Sequence, residues 1–348
     1  MIGRLALAGV VVAPFAVGIV LARGDAGNVE FRFEDPQIVE SSGLVAQDGL
    51  FVTMNDSGDS GRVFAVDPLD GETVGVTRWD GGVTDVEGIA PAGDGRVWVG
   101  DIGDNKQSRG SVRLFRVPVG AEDRTVAPEW WELTYPGGSR DAETLMSDPS
   151  TGRVYIASKS VFGGTLYAVP PDLASGDNRM RAVGHVIAVA TDGAFFPDGR
   201  HLVVRDYARA VVYSFPGLEE AGTFRLPKQR QGEGIAVDTS GSVFVSSEGQ
   251  HTGVLRVSLP SELRRIVTPR SGSGSSASPG SSSSDAAGPS AGPSAGPSNG
   301  VTDGSADGSP AAESWIWQGR PWWAYAVPGW VGLMVLVVFV RLVRRLRR

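Results

Sequence analysis

Cysteine is absent from the 348 residues. That absence excludes a disulfide framework, a thiol nucleophile and a cysteine zinc site, and it leaves the fold to rest on its apolar core alone. Histidine is almost as scarce: His185, His201 and His251 are the only three, and they show no metal-ligand spacing. No G-x-S-x-G elbow, H-E-x-x-H helix or phosphate-binding P-loop occurs. Excess positive charge is missing as well. The net charge is −7, and without the five arginines of the last eight residues the remainder carries about −12, which argues against a nucleic-acid partner.

Glycine is plentiful, with 48 residues beside a 41% hydrophobic fraction, as suits a turn-rich β protein. One motif organises the chain. Thr84-Asp85-Val86-Glu87-Gly88-Ile89-Ala90 returns as Arg140-Asp141-Ala142-Glu143-Thr144-Leu145 and as Gln231-Gly232-Glu233-Gly234-Ile235-Ala236. Weaker echoes are Ser41-Ser42-Gly43-Leu44-Val45 and Thr191-Asp192-Gly193-Ala194-Phe195. Each copy is followed by a glycine turn and an apolar run, such as Gly93-Asp94-Gly95 before Val97-Trp98-Val99-Gly100, which reads as a hairpin. A third alternating strand closes each unit, for example Arg113-Leu114-Phe115-Arg116-Val117.

The marker residues Ser42, Glu87, Glu143, Asp192 and Glu233 lie roughly 45, 56, 49 and 41 residues apart, the spacing of propeller blades. The expected fold class is all-β, a β-propeller of five clear repeats with five or six blades. Strands at 74–79, 129–135, 181–188 and 222–226 fit as outer fourth strands. Phe31-Arg32-Phe33 ahead of the repeats, or Leu263 to Val267 beyond them, is expected to pair with the other end of the ring.

Flanking segments place the propeller at a membrane. Residues 1–26 read as a signal peptide, with Arg4 ahead of an apolar run to Leu21 and an uncleaved anchor as the alternative. The propeller ectodomain spans 28–268. Residues 269–314 form a Ser/Gly/Pro/Ala-rich disordered linker, which as a coil reaches roughly 35 to 40 Å on average. Residues 315–340 carry a tryptophan belt and a transmembrane helix, whose apolar run from Trp322 to Val340 holds no charge. The basic tail 341–348 puts the C-terminus in the cytoplasm and the repeats outside, a single-pass arrangement at the cell membrane.

The marker residues, if they begin innermost strands, form a ring at one mouth of the central channel. Converging carboxylates are costly unless a cation or basic groups answer them. The strands that follow deliver Asn55-Asp56, Asp101, Ser158-Lys159, Arg205-Asp206 and Ser247-Glu248, and strand direction decides whether this second ring shares the mouth. Oxygen-rich, cysteine-free clusters suit Ca²⁺, with Asp56, Glu87, Asp101, Glu143, Asp192 and Glu233 as candidate ligands. The loops at Asn55–Gly61 and Asp101–Asn105 read as ordinary turns ahead of cation loops, the first lacking the glycine and glutamate of an EF-hand. If the mouth is catalytic, Glu87 and Glu143 are candidate general bases, and Lys159 and Arg205 candidates to steady a developing negative charge.

Together Glu40-Ser41-Ser42-Gly43-Leu44, Asn55-Asp56-Ser57-Gly58, Asp85-Val86-Glu87-Gly88, Gly100-Asp101-Ile102-Gly103-Asp104-Asn105, Asp141-Ala142-Glu143 and Lys159 resemble the motif set of a family of secreted bacterial propeller proteins. That family is related to the TolB-like, phytase-esterase-like and gluconolactonase-like propellers, and the resemblance covers about residues 36 to 260. It implies a channel-mouth Ca²⁺ that polarises a phosphate or lactone in the related enzymes, and six blades in several of them. Fold does not carry function with it. Three readings follow: a membrane-tethered extracytoplasmic binding module for an envelope glycan, small molecule or protein, assisted by Ca²⁺; a Ca²⁺-dependent hydrolase of phosphate or lactone esters; and a structural scaffold.

Overall fold

The structure, a computed structural model, describes residues 27–56 and 58–268. The expected signal peptide, linker, membrane helix and tail lie outside them. Among the described residues no helix is long and apolar enough to cross a membrane.

Strand β1 (Asn28–Arg32) precedes the repeats. The first blade is β2 (Ser41–Gln47), β3 (Leu50–Asn55), β4 (Arg62–Val66) and β5 (Thr73–Trp79). The second is β6 (Val86–Gly93), β7 (Arg96–Asp101), β8 (Val112–Pro118) and β10 (Glu129–Thr134), with the short β9 (Arg124–Val126) between the last two in sequence. In the third, β11 (Ala142–Ser147), β12 (Val154–Ser158) and β13 (Gly164–Ala168) are followed by β14 (Asn178–Arg179) and then by the outer strand β15 (Arg181–Val186). The fourth comprises β16 (Asp192–Phe195), β17 (His201–Arg205), β18 (Arg209–Ser214) and β19 (Glu220–Arg225). β20 (Gly232–Val237), β21 (Val243–Ser247) and β22 (Gly253–Val257) begin the fifth.

The fifth blade takes its outer strand from the start of the chain, β1 pairing antiparallel with β22. This closes the ring at five blades and settles the count left open between five and six. The long second interval is filled instead by the loop before β8 and by β9, which adds to the edge of β5 in the first blade. β14 adds to the edge of β10 in the same parallel way. The other expected closing segment, near Leu263, is a helix: α1 (Ser261–Val267) buries Leu263 and Val267 in the core between the fourth and fifth blades.

Each innermost strand packs on the next around the axis, β2 on β6, β6 on β11, β11 on β16, β16 on β20 and β20 on β2. Five apolar clusters fill the spaces between adjacent blades. The glycine that follows four of the five markers, at Gly43, Gly88, Gly193 and Gly234, permits this approach. A Cβ on Gly88 would sit 2.6 Å from the Cβ of Leu145, so a side chain there would push the second and third blades apart.

Candidate functional site

Register answers the question of strand direction. Ser41 pairs with Asn55, Val86 with Asp101, Ala142 with Ser158, Asp192 with Arg205 and Gly232 with Ser247. The start of every innermost strand therefore lies beside the end of the next strand, and both rings share one mouth.

A β-bulge aims the side chains. The ladder skips a residue between Ser41 and Gly43, between Val86 and Gly88 and between Ala142 and Thr144, leaving Ser42, Glu87 and Glu143 without a partner across the strand pair. In the fifth blade the skip from Gly232 to Ile235 frees Glu233. Bulges bend the strand and re-aim what they carry. The innermost strand pair of the fourth blade has none, and Asp192 stays in the ladder.

The ring residues are all buried, and four of them are tied into a hydrogen-bonded arc. Ser42 Oγ donates to Glu87 Oε2 at 2.9 Å and reaches Glu233 Oε2 at 3.3 Å. Glu233 Oε1 accepts from Gln231 Nε2 at 3.4 Å and from the Tyr207 hydroxyl at 3.5 Å. Lys159 Nζ donates to Tyr207 Oη at 3.0 Å and pairs closely with Glu143 Oε1. The arc stops there. Glu143 Oε2 is buried and has no partner, the kind of orphaned acceptor that calls for an explanation.

Beside Glu87 the carboxylates of Asp56 and Asp85 converge, one oxygen from each of the three lying within 4.8 Å of the others. Among the described residues no Lys or Arg is hydrogen-bonded to Asp85 or Glu87. Burial, reinforced by Asp56 and Asp141, pushes Asp85 up to about 6. Burial, then Asp56 and Glu143, push Glu87 up to about 10. Glu143 rises to about 8 because burial outweighs the pull of Lys159. Burial also opposes the charge on Lys159, but Glu143 and Tyr207 more than offset it and its pKa is raised.

Gly103 roofs the cluster. A Cβ at that position would collide with Asp85 Oδ2 and stand 2.7 Å from Glu87 Cγ, so the loop after β7 passes over the acids only because it carries glycine there. The loop is held by its own aspartates. Asp101 accepts from the backbone N–H groups of Thr84 and Asp85 and pairs with Arg109 at 2.8 Å and Arg113 at 2.7 Å. Asp104 accepts from the N–H groups of Ser108 and Arg109.

Of the six candidate cation ligands, the structure brings Asp56 and Glu87 together, adds Asp85, and places Glu143 and Glu233 farther round the same arc. Asp101 is occupied with the two arginines and the loop. Asp192 is occupied too, its Oδ1 accepting from Gly193 N and its Oδ2 from Ile235 N, each at 2.8 Å. Arg205 lies in the wall, fully buried, donating to the carbonyls of Gly232 at 2.6 Å and Gly234 at 3.0 Å. Burial lowers its pKa to about 10 against the pull of Asp192 and Glu233, which leaves it charged at neutral pH. Of the two basic candidates, Lys159 alone has a partly exposed side chain at the mouth. In the loop after β3, Asn55 and Asp59 serve as turn and capping groups, Asn55 Oδ1 accepting from the N–H groups of Val39 and Glu40 and Asp59 pairing with Arg62. Asp85 is the residue that sequence reasoning missed as a ligand, although an aspartate stands two residues before the glutamate in two of the three full copies of the motif, at Asp85 and Asp141.

Three converging carboxylates beside an orphaned carboxylate oxygen form a set of hard oxygen donors that fits a hard divalent cation. The other end of the channel differs. There the same innermost strands line a cavity of about 360 Å³ with Leu44, Ile89, Leu145, Phe195 and Val237.

No protein-family model and no curated protein matches the chain. Solved structures similar to it include a gluconolactonase from Xanthomonas campestris, at 15% identity and a TM-score of 0.43 over 68% of this chain and 86% of that one. They also include a glutaminyl cyclase from Myxococcus xanthus, at 13% identity and 0.41 over 66% and 100%. A glucose dehydrogenase matches at 13% identity and 0.39 over 64% and 83%.

Proposed function

We propose that the chain is a membrane-tethered extracytoplasmic propeller whose acidic mouth is a binding site assisted by Ca²⁺. The observation that carries the reading is the convergence of Asp56, Asp85 and Glu87 beside the orphaned Glu143 Oε2. A bound dication would answer the neighbouring carboxylates that add to burial in raising Asp85 and Glu87, and Glu87 would give up its proton to serve as a ligand. The tether is supported by the uncharged run from Trp322 to Val340 and the five arginines that follow it. The partner is a ligand of the cell envelope.

The test is the melting temperature of the full chain in detergent, in EDTA and in millimolar Ca²⁺, for wild type and Glu87→Gln. Ca²⁺ at about 100 times its dissociation constant would add about 2.7 kcal/mol to wild-type stability, and the variant would lose the shift. An equal melting temperature in both conditions for the wild type sinks the reading.

A Ca²⁺-dependent hydrolase of lactone or phosphate esters is the second reading, favoured by Lys159. Its partly exposed ammonium beside Glu143 suits a group that steadies negative charge while a carboxylate acts as base. Turnover of lactone or aryl phosphate substrates that disappears in Glu143→Gln would select it over the binding module.

A further inference from the structure

Between Glu87 and Glu143 the hydrogen-bonded arc is open. Glu143 is 5% exposed, its Oε1 is taken by Lys159, and its Oε2 has no partner. Across the opening, the side chain of Glu87 accepts a hydrogen bond at Oε2 from Ser42, and among the described residues no other hydrogen bond to it is found. A buried acceptor with no donor is costly, more so when it is charged, and Glu143 Oε2 is such an acceptor, with Glu87 close enough for the two acids to repel. Lys159 is the only cation hydrogen-bonded to the ring among the described residues, against Glu87, Glu143 and Glu233.

A group that fits the opening must bring positive charge and several donors, and it must be narrow enough to pass down to buried acids. A primary ammonium on an unbranched stem has this form, with three donors on a compact head. A guanidinium spreads its donors over a planar fork suited to a single carboxylate rather than to two acids on separate strands. The surroundings of the mouth point the same way. The loop that begins at Lys159 carries Val161 and Phe162, 73% and 99% exposed, and Tyr207, which hydrogen-bonds Lys159, is 42% exposed. Exposed apolar groups bordering a charged recess mark an interaction surface.

We propose that the mouth receives a lysine side chain of a partner protein, its ammonium seated between Glu87 and Glu143 and the apolar neighbours of that lysine resting on Val161 and Phe162. The assignment rests on the mouth being a binding site and names its partner. It places the ammonium beside the Asp56, Asp85 and Glu87 cluster rather than in it, so the two cations occupy different positions.

The experiment is calorimetric titration of the full chain in detergent, with Ca²⁺ at millimolar concentration, using the peptide acetyl-Leu-Lys-Leu-amide, the same peptide acetylated on its lysine, and butylamine. The lysine peptide is expected to bind, and lysine acetylation or Glu143→Gln to weaken binding about tenfold or more, as loss of a charged hydrogen bond does. Phe162→Ala is expected to weaken the peptide and leave butylamine unchanged. Equal binding of both peptides to the wild type overturns the proposal without reliance on any variant. Butylamine binding as tightly as the lysine peptide overturns the protein partner. No peptide binding by a protein that keeps its Ca²⁺ shift overturns the ammonium site alone, whereas peptide binding without a Ca²⁺ shift overturns the cation reading alone.

Discussion

Glu87 and Asp192 hold equivalent positions in the second and fourth repeats, and the fold uses them in opposite ways. Glu87 is freed from the ladder by a bulge, takes one hydrogen bond from Ser42, and faces Asp56 and Asp85. Asp192 is paired in register with Arg205, and both its oxygens accept backbone N–H groups, one of them from Ile235 in the next blade. The acid in the fourth blade joins two blades together. The acid in the second is held beside other carboxylates, burial first and then Asp56 and Glu143 pushing it up to about 10. One inserted residue in the ladder separates these fates, so the same repeat yields wall in one blade and a candidate site in another.

The largest effect should come from breaking the wall. Asp192→Ala strips the acceptor from two buried N–H groups and leaves the guanidinium of Arg205 without the carboxylate that does most to hold its charge. A loss of about 3–5 kcal/mol in urea unfolding is expected. Glu87→Gln should behave otherwise, changing stability in EDTA by no more than about 1 kcal/mol and in the stabilising direction, since it replaces a repelled buried acid with a neutral group of similar shape. Equal losses in the two variants would erase the distinction between wall and site.

Titration sharpens the comparison next. Asp85 at about 6, Glu248 at about 7 and Glu143 at about 8 are all raised, first by burial. Their unfolded values lie near 4, so from there up to the folded values the native state holds more protons than the unfolded chain. Their contribution is fully present below about pH 4 and is lost as pH climbs through 6 to 8. The melting temperature in EDTA should therefore fall between pH 5 and pH 9, and Ca²⁺ should restore most at the alkaline end, where ligands need no deprotonation. Asp148 runs the other way. Burial opposes its charge, but the Ser150 and Thr151 hydroxyls and backbone lower its pKa, so its contribution is lost as pH falls below about 4. A melting temperature that rises from pH 5 to pH 9 in EDTA would contradict the raised carboxylates of the mouth.

Much of this was legible in the chain itself. The motif spacing located the five innermost strands, and turn glycines with alternating runs located the strands that follow, because those patterns are imposed by one-sided burial within each blade. The acidic ring was legible as well. The bulges were not, since Val86-Glu87-Gly88 reads as continuous strand and a skipped residue shows only in the register of its partner. The edge strands β9 and β14, three and two residues long, are too short to show alternation. The role of Arg205 depended on its guanidinium reaching the carbonyls of Gly232 and Gly234 in another blade, a contact of the tertiary fold. Asp85 was visible in the motif, but its convergence with Asp56 required the first and second blades to be set side by side.

The smallest expected effect concerns the outermost part of the mouth. Phe162 is 99% exposed in a loop that returns to the sheet at Gly164, whereas Phe64, in the core between the first and fifth blades, is fully buried. Phe162→Ala should leave urea unfolding within about 0.5 kcal/mol of the wild type, while Phe64→Ala should cost about 3–5 kcal/mol. A phenyl ring fully in water lends the fold no burial, so the same substitution made at the tip and in the core separates what the fold requires from what a partner would cover. Should Phe162→Ala lower stability by more than about 1 kcal/mol, the ring would be packed against the propeller in solution, and the lip would belong to the wall.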